Sequence, residues 1–165
     1  MAQRTNLEKV IEFHNCAGHP VFKVPQYNIF DEKPERVKFR LGLVQEEVKE
    51  LEQAVKEKNF KEVIDALSDI SYVINGMAAE FGINLDRSFD IVHKSNMTKF
   101  CSTEEEAIQT VEWYKQQYKD GKLSYKSPAY RRSPDGIHWV VYNQDNDKAL
   151  KSINYTPANF DEQES

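Results

Sequence analysis

Two consecutive segments of the 165-residue chain carry apolar residues at helical spacing. They constrain the fold more than any other feature. Between Val37 and Val55 the apolar residues alternate steps of four and three over about five turns, and Pro34 suits the first turn. A second helix is predicted over residues 60–81. From Ile70 to Ala79 it is apolar nearly all round, which predicts burial on several sides. The pair cannot bury this surface alone, so we expect a homodimer that completes a four-helix bundle, or a dimer of dimers.

Capping sequences place the remaining helices. Thr5-Asn-Leu-Glu8 is a capping box that begins a first helix, and Gly18 ends it. A further helix is predicted over residues 85–99, and a second capping box, Thr103-Glu-Glu-Glu106, begins the last one. Residues 19–33 predict an irregular loop.

The C-terminal segment changes character. Residues 137–142 have strong strand composition, and Ser133-Pro-Asp-Gly136 is a turn sequence, which together predict a β-hairpin followed by a loop and an extended end. We therefore expect a mostly α fold with about five helices and a small C-terminal β-hairpin. The domains predicted are an all-α domain over residues 1–120 and a tail over 121–165 that packs on it.

The composition excludes several classes of function. Hydrophobic residues make up 39% and charged residues 30%, as in ordinary globular proteins, and the net charge of −5 argues against a nucleic-acid surface. No apolar run reaches the length of a transmembrane helix and no signal sequence is recognisable, so we expect no membrane partner and a cytoplasmic location. Cys16 and Cys101 lack the spacing of metal ligands, which predicts free thiols.

Five acidic residues lie beside the apolar stripes of the two central helices. Glu47 and Glu50 are three residues apart and face the same side, with Glu46 one turn from Glu50. Asp65 and Asp69 form a similar row on the next helix. If the two helices pair as an antiparallel hairpin, the rows converge at its edge.

A solvated helix face is the ordinary interpretation of such charged residues. Three observations oppose it. None of the five has a basic residue four positions later, and Glu46–Glu50 and Asp65–Asp69 are like-charge pairs that destabilise a helix. Asp69 directly precedes the apolar part of a helix expected to be buried, where an acid needs a partner. The nearby lysines are too few to neutralise five acids.

Carboxylates without histidine or cysteine favour hard cations, so the rows predict a site for magnesium or manganese. Such a cation shares its coordination shell with substrate phosphates and supports phosphoanhydride cleavage. The alternative from another class is a non-catalytic helical oligomeric module, in which the acids bind a structural cation or a basic partner. That alternative predicts binding without nucleotide turnover.

The combined acidic motif resembles a known group of enzymes. Glu46-Glu47-x-x-Glu50, followed by Asp65-Ala-Leu-Ser-Asp69, is similar to the all-α NTP pyrophosphohydrolase superfamily, which includes MazG proteins, phosphoribosyl-ATP pyrophosphohydrolases and dimeric dUTPases. Residues 80–86 and 93–99 resemble the MazG-like members closest to phosphoribosyl-ATP pyrophosphohydrolase. The resemblance implies magnesium-dependent hydrolysis of a nucleoside triphosphate to the monophosphate and pyrophosphate, in nucleotide-pool control or house-cleaning. The base stays open, although the distinct tail disfavours phosphoribosyl-ATP.

The resemblance also implies roles for residues. It places Glu46 and Glu47 in catalysis, Glu46 as a ligand or as the residue that orients the water. The metal ligands it implies are Glu47, Glu50, Asp65 and Asp69. Many members have Glu-x-x-Asp on the second acidic helix, whereas this chain has Ala66 three residues before Asp69. We favour Asp65 as the substitute and hold Glu62 in reserve.

Further candidates lie outside the acidic rows. The end of the helix predicted over residues 85–99 supplies candidates to bind the triphosphate, which are Lys94, Asn96 and Lys99. The alternative is a routine basic helix end, which the helix dipole favours. The resemblance makes Phe13, His14 and Tyr27 candidates for base contact. Asn75, inside an apolar helix, either reads a base edge or bonds a neighbouring helix. For Arg40 we favour structural pairing with an acid over phosphate binding.

Overall fold

The computed structural model describes residues 3–161 and confirms the mostly α fold. The helices are α1 Asn6–Ala17, α2 Ile29–Glu32, α3 Pro34–Lys56, α4 Phe60–Phe81, α5 Leu85–Met97 and α6 Glu104–Lys119. The strands are β1 Pro128–Arg132, β2 Trp139–Asn143 and β3 Lys148–Leu150. The chain forms two compact units, one up to Phe89 and one over Asp90–Phe160. No helix among the described residues is long and apolar enough to cross a membrane.

Capping residues set the helix ends. Thr5 and Glu8 form both bonds of the capping box at α1. At the start of α5, Oδ1 of Asn84 accepts a hydrogen bond from a backbone N–H of the first turn. Gly82 ends α4 in the left-handed conformation, with φ of 69°. Any Cβ at Gly82 would lie 1.9 Å from the carbonyl oxygen of Val24, so only glycine fits where the loop crosses this helix end.

The first unit is built on the α3–α4 hairpin, with α1 packed on α4. Its apolar core is small and consists of Leu7, Ala78 and Ala79 with partly buried neighbours. Beside it lies a buried polar group of His14, Arg40 and Glu80. The small residues at the C-terminal end of α4 therefore let α1 approach closely.

The burial predicted for α4 between Ile70 and Ala79 is found in the single chain only at the C-terminal end of this stretch. Asn75, Gly76, Ala78 and Ala79 are buried. Ile74 is 39% exposed, and Ile64 and Leu67, which precede the stretch, are exposed by more than half. On α3, Leu41, Val48 and Val55 of the predicted apolar stripe are exposed as well. Much of the apolar surface of the hairpin faces outward because the other elements within residues 3–161 cover only part of it.

The loop predicted over residues 19–33 contains one further helix, α2. The loop is held by backbone bonds from Phe22 N–H to the carbonyl of Ala79 and from Gln26 N–H to that of Phe81, each 2.9 Å. These contacts with the end of α4 are tertiary, so local sequence did not predict the single helical turn that follows them.

The second unit contains the predicted hairpin. β1 and β2 pair antiparallel with Tyr130 opposite Val141, and the 133–136 turn connects them. The extended end contains an additional strand, β3, which pairs with β2 and places Leu150 opposite Val141. The sheet packs on α6 through a core of Cys101, Ala107, Val111, Tyr114, Val141 and Leu150. The domains proposed over 1–120 and 121–165 stay a prediction.

Candidate active site

Glu47 on α3 lies among the other four acidic candidates. Its Oε2 atom is buried and has no hydrogen-bond partner among the described residues. The pKa of Glu47 is raised, first by burial and then by the negative charges of Glu50, Asp69, Glu46 and Asp65. Two of these neighbours belong to α3 and two to α4. The hairpin therefore brings both acidic rows into one electrostatic neighbourhood.

No described basic side chain pairs with these five carboxylates. Four of the five are exposed, and within the described range no three acidic, histidine or cysteine side chains are gathered tightly enough to hold a metal ion as they stand. One of the oxygens is buried without a described partner, and all the possible donors are carboxylates. A site for a hard divalent cation explains these two features better than a solvated helix face does.

The choice between Asp65 and Glu62 as a metal ligand on α4 stays a prediction. Asp65 is among the negative charges that raise the pKa of Glu47, which favours Asp65. Asp69 is exposed, contrary to the burial expected for it, because the outer face of α4 is open.

A buried polar network joins three helices of the first unit. Glu80 on α4 accepts hydrogen bonds from Arg36 and Arg40 on α3, including Arg40 Nε to Glu80 Oε1 at 2.7 Å and Arg36 Nε to Glu80 Oε2 at 3.1 Å. Burial raises the pKa of Glu80, but the bonds from both arginines outweigh it and lower the pKa overall. The predicted structural pairing of Arg40 is confirmed. Its partner, Glu80, was missed.

His14 on α1 completes this network. Its Nδ1 atom lies 3.1 Å from the carbonyl oxygen of Pro20, and its Nε2 atom lies 3.1 Å from Nη2 of Arg40. A Cβ at position 76 would lie 2.8 Å from Arg40 Nη1 and 3.1 Å from His14 Nε2, so Gly76 allows this close approach. Both ring nitrogens of His14 are thus engaged within the protein.

A pocket of about 420 Å³ lies between α1 and α4. Its walls include Lys9 from α1 and Ser68, Tyr72 and Asn75 from α4. Asn75 is 6% exposed and donates to the carbonyl of Ser71 at 2.8 Å. That is its only described hydrogen bond, which leaves Oδ1 and one N–H unmatched on the pocket wall.

The other base-contact candidates are exposed. Phe13 packs edge-on against the ring of Tyr72, with centroids 5.8 Å apart, and therefore lies near the pocket. Tyr27 is 65% exposed on the loop.

The phosphate candidates belong to the second unit. Lys94 is exposed, and Lys99 Nζ donates to Oδ1 of Asn96 at 2.7 Å. The C-terminal segment is bonded to the same helix end. Thr156 N–H donates to Oγ1 of Thr98 at 2.9 Å, and Ser95 Oγ donates to the carbonyl of Thr156 at 2.8 Å. Phosphate binding by these residues stays a prediction.

Comparison with known proteins identifies relatives. The sequence pattern of the phosphoribosyl-ATP pyrophosphohydrolase family matches residues 10–96, which includes both acidic rows. An uncharacterised protein of Acanthamoeba polyphaga mimivirus is 31% identical, over 94% of this chain and 94% of its own length. The match therefore extends beyond the helical hairpin to nearly the whole chain.

Proposed function

Because the chain belongs to the phosphoribosyl-ATP pyrophosphohydrolase family, within the MazG-like all-α NTP pyrophosphohydrolase superfamily, we propose that it hydrolyses a (deoxy)nucleoside triphosphate to the monophosphate and pyrophosphate. Family membership implies pyrophosphohydrolase activity on a nucleotide. The observation that supports a triphosphate site is the group of four carboxylates around the unpaired Oε2 of Glu47. A role in nucleotide-pool control or house-cleaning follows from that chemistry.

Magnesium is the proposed cofactor, with manganese as a substitute. Glu47, Glu50, Asp65 and Asp69 would hold it, since oxygen donors of this kind suit hard cations and Glu47 has an oxygen with no other partner. When bound, the cation polarises a phosphoryl oxygen and lowers the pKa of a water.

Glu46 and Glu47 are the proposed proton acceptors for the attacking water. A carboxylate beside the proposed cation site is placed to take a proton from a water that the cation would activate. Glu46 lies next to Glu47 in the chain and is exposed, so water reaches it freely.

Lys94, Asn96 and Lys99 are proposed to bind the phosphates. Lysine supplies charge that offsets the negative phosphates, and the Lys99–Asn96 bond restrains both side chains.

The pocket between α1 and α4 is the proposed base site. Along a helix, the six steps from Asp69 to Asn75 rise about 9 Å, comparable to the reach of a nucleoside from its first phosphate. Asn75 presents an unmatched acceptor and donor there, and Phe13 lies beside the pocket. His14 was a candidate as well, but both of its nitrogens are engaged, so we assign it no base contact.

A homodimer, or a dimer of dimers, is the proposed assembly. Leu41, Val48 and Val55 lie seven residues apart on one face of α3, and all three are exposed. On α4, Leu67 and Ile74 are also seven apart and exposed. Two such hairpins packed face to face form a four-helix bundle and remove this surface from water.

The test is pyrophosphate release from a panel of canonical and modified dNTPs, with and without magnesium. We expect magnesium-dependent release, abolished in the double variant Glu47→Ala/Asp69→Ala and kept in Glu52→Ala, which changes an exposed acid of the same helix. Full activity of the double variant would contradict the proposal. The non-catalytic alternative predicts cation or partner binding with no turnover of any nucleotide.

A further inference from the structure

His14 has a protonation state that its two neighbours fix. The carbonyl oxygen of Pro20 only accepts hydrogen bonds, so Nδ1 of His14, 3.1 Å away, carries the proton. The guanidinium of Arg40 only donates, so Nε2 of His14, 3.1 Å from Nη2, holds a lone pair. His14 is therefore neutral, in the Nδ1–H tautomer.

The surroundings oppose a second proton. His14 is 2% exposed and faces Arg40 from α3, Glu80 from α4 and His19 from the following loop. Arg36 also pairs with Glu80, so two cations already share one anion before His14 gains any charge. Burial and the charge of Arg40 lower the pKa of His14, despite the bond to Pro20 and the charge of Glu80, which raise it.

The backbone of α4 lies directly against the ring of His14. The backbone of α4 at Gly76 is so close that a single added carbon would lie 3.1 Å from Nε2 of His14. A proton on Nε2 would point an N–H at the N–H of Arg40. We expect the repulsion between these two N–H groups to drive the ring out of the network, together with the last turn of α1 that carries it.

Beyond this network, α1 contacts α4 through the edge-on packing of Phe13 against Tyr72 and through apolar residues. Its buried apolar residues are Leu7 and Val10, and the first of these packs on Ala78 and Ala79. The same helix supplies Lys9 and Val10 to the pocket between α1 and α4. Movement of α1 therefore changes the pocket wall.

We propose that His14 is a proton-sensitive lock on α1, which holds the helix against α3 and α4 while neutral and releases it on proton uptake. The sign follows from linkage. A histidine whose folded-state pKa lies below its ordinary value of 6.5 opposes the closed state as the pH falls below 6.5. The lock is a property of the free protein. Its effect on nucleotide affinity rests on the proposed function of the pocket.

Hydrogen exchange of the free protein tests the lock without any substrate. Protection factors of residues 6–17, corrected for intrinsic exchange, are compared between about pH 7.5 and 5.5. If the opening of α1 is coupled to one proton, the protection factors of residues 6–17 in the wild type should fall by up to about tenfold per pH unit below 6.5. Those of α6 should stay unchanged. The variant His14→Gln should lose this dependence, and His93→Gln, at an exposed position, should keep it.

Unchanged protection of α1 across this range in the wild type, or the same dependence in His14→Gln, would overturn the proposal. If His14→Gln does not fold, nitrogen NMR of the wild type tests the lock instead, because it reports which ring nitrogen of His14 carries the proton. The lock requires a proton on Nδ1 and none on Nε2 at neutral pH. A ring that titrates at its ordinary value while α1 stays protected would also overturn it. A wild type that hydrolyses no nucleotide refutes the proposed function and leaves the lock untouched.

Discussion

Arg40 on α3 donates from Nε to Oε1 of Glu80 on α4 across 2.7 Å, and both side chains are buried. Removing two charges from water is costly, so such a pair adds little net stability compared with apolar residues. Removing one partner is a different matter, because the other charge is left buried and unpaired. We therefore expect the bond to favour this arrangement of α3 and α4 over alternative ones.

The first prediction follows from that asymmetry. Glu80→Ala leaves two arginines without their carboxylate and should lower the free energy of unfolding by about 3–5 kcal/mol. Glu62→Ala, at an exposed position of the same helix, should change it by less than about 0.5 kcal/mol. Urea unfolding at neutral pH measures both. Equal effects of the two substitutions would mean that the network contributes no specific stability.

The second prediction concerns the exposed face of the hairpin. Leu41→Glu places a charge in the proposed interface and should convert the dimer to a monomer. Ile108→Glu is the matched control, since the two wild-type side chains are 48% and 46% exposed and Ile108 lies on α6. Size-exclusion chromatography with light scattering gives the masses. A monomeric wild type, or an unchanged mass for Leu41→Glu, would refute this interface.

The third prediction separates stability from function at Glu47. Without a cation, Glu47→Gln removes a half-buried charge that is repelled by four others, so the melting temperature of the variant should rise by about 2–4 °C per kcal/mol gained. Saturating magnesium should raise the melting temperature of the wild type and not of the variant. Glu52→Gln should respond to magnesium as the wild type does. A Glu47→Gln variant that is destabilised, or whose melting temperature rises with magnesium as much as that of the wild type, would contradict the proposed magnesium site.

The fourth prediction concerns Thr98, whose hydroxyl binds the backbone of Thr156. If this contact positions Lys94, Asn96 and Lys99, Thr98→Val should raise KM for the triphosphate by up to about tenfold, the worth of one hydrogen bond, with little change in kcat. Thr98→Ser keeps the hydroxyl and should restore KM. Loss of kcat alone, or no rescue by serine, would assign Thr98 another role.

Local sequence predicted most of the elements because local chemistry sets them. The bounds of α4 follow from its apolar residues and from Gly82, whose left-handed conformation ends the helix. The α1 capping box and the 133–136 turn are likewise made by neighbours in the chain. The acidic rows could be predicted because helical spacing alone places their side chains on one side of each helix.

The features that were missed depend on contacts distant in sequence. Strand β3 exists because β2 offers a free edge, and three residues carry too little pattern to reveal it. No partner was predicted for Glu80, although its apolar neighbours Ala78, Ala79 and Phe81 were a signal of burial. Arg36 and Arg40, four apart on one helix face, were the matching signal on α3. Only the fold pairs them.

The central claim is cleavage of a triphosphate between its first and second phosphates by the carboxylates around Glu47. Phosphorus NMR of the products from the preferred dNTP tests it most directly, with magnesium and with a chelator. The account predicts equal amounts of monophosphate and pyrophosphate, formed only with magnesium and reduced at least about a hundredfold in Glu47→Gln. Diphosphate with inorganic phosphate as the products, or undiminished turnover by Glu47→Gln, would contradict it.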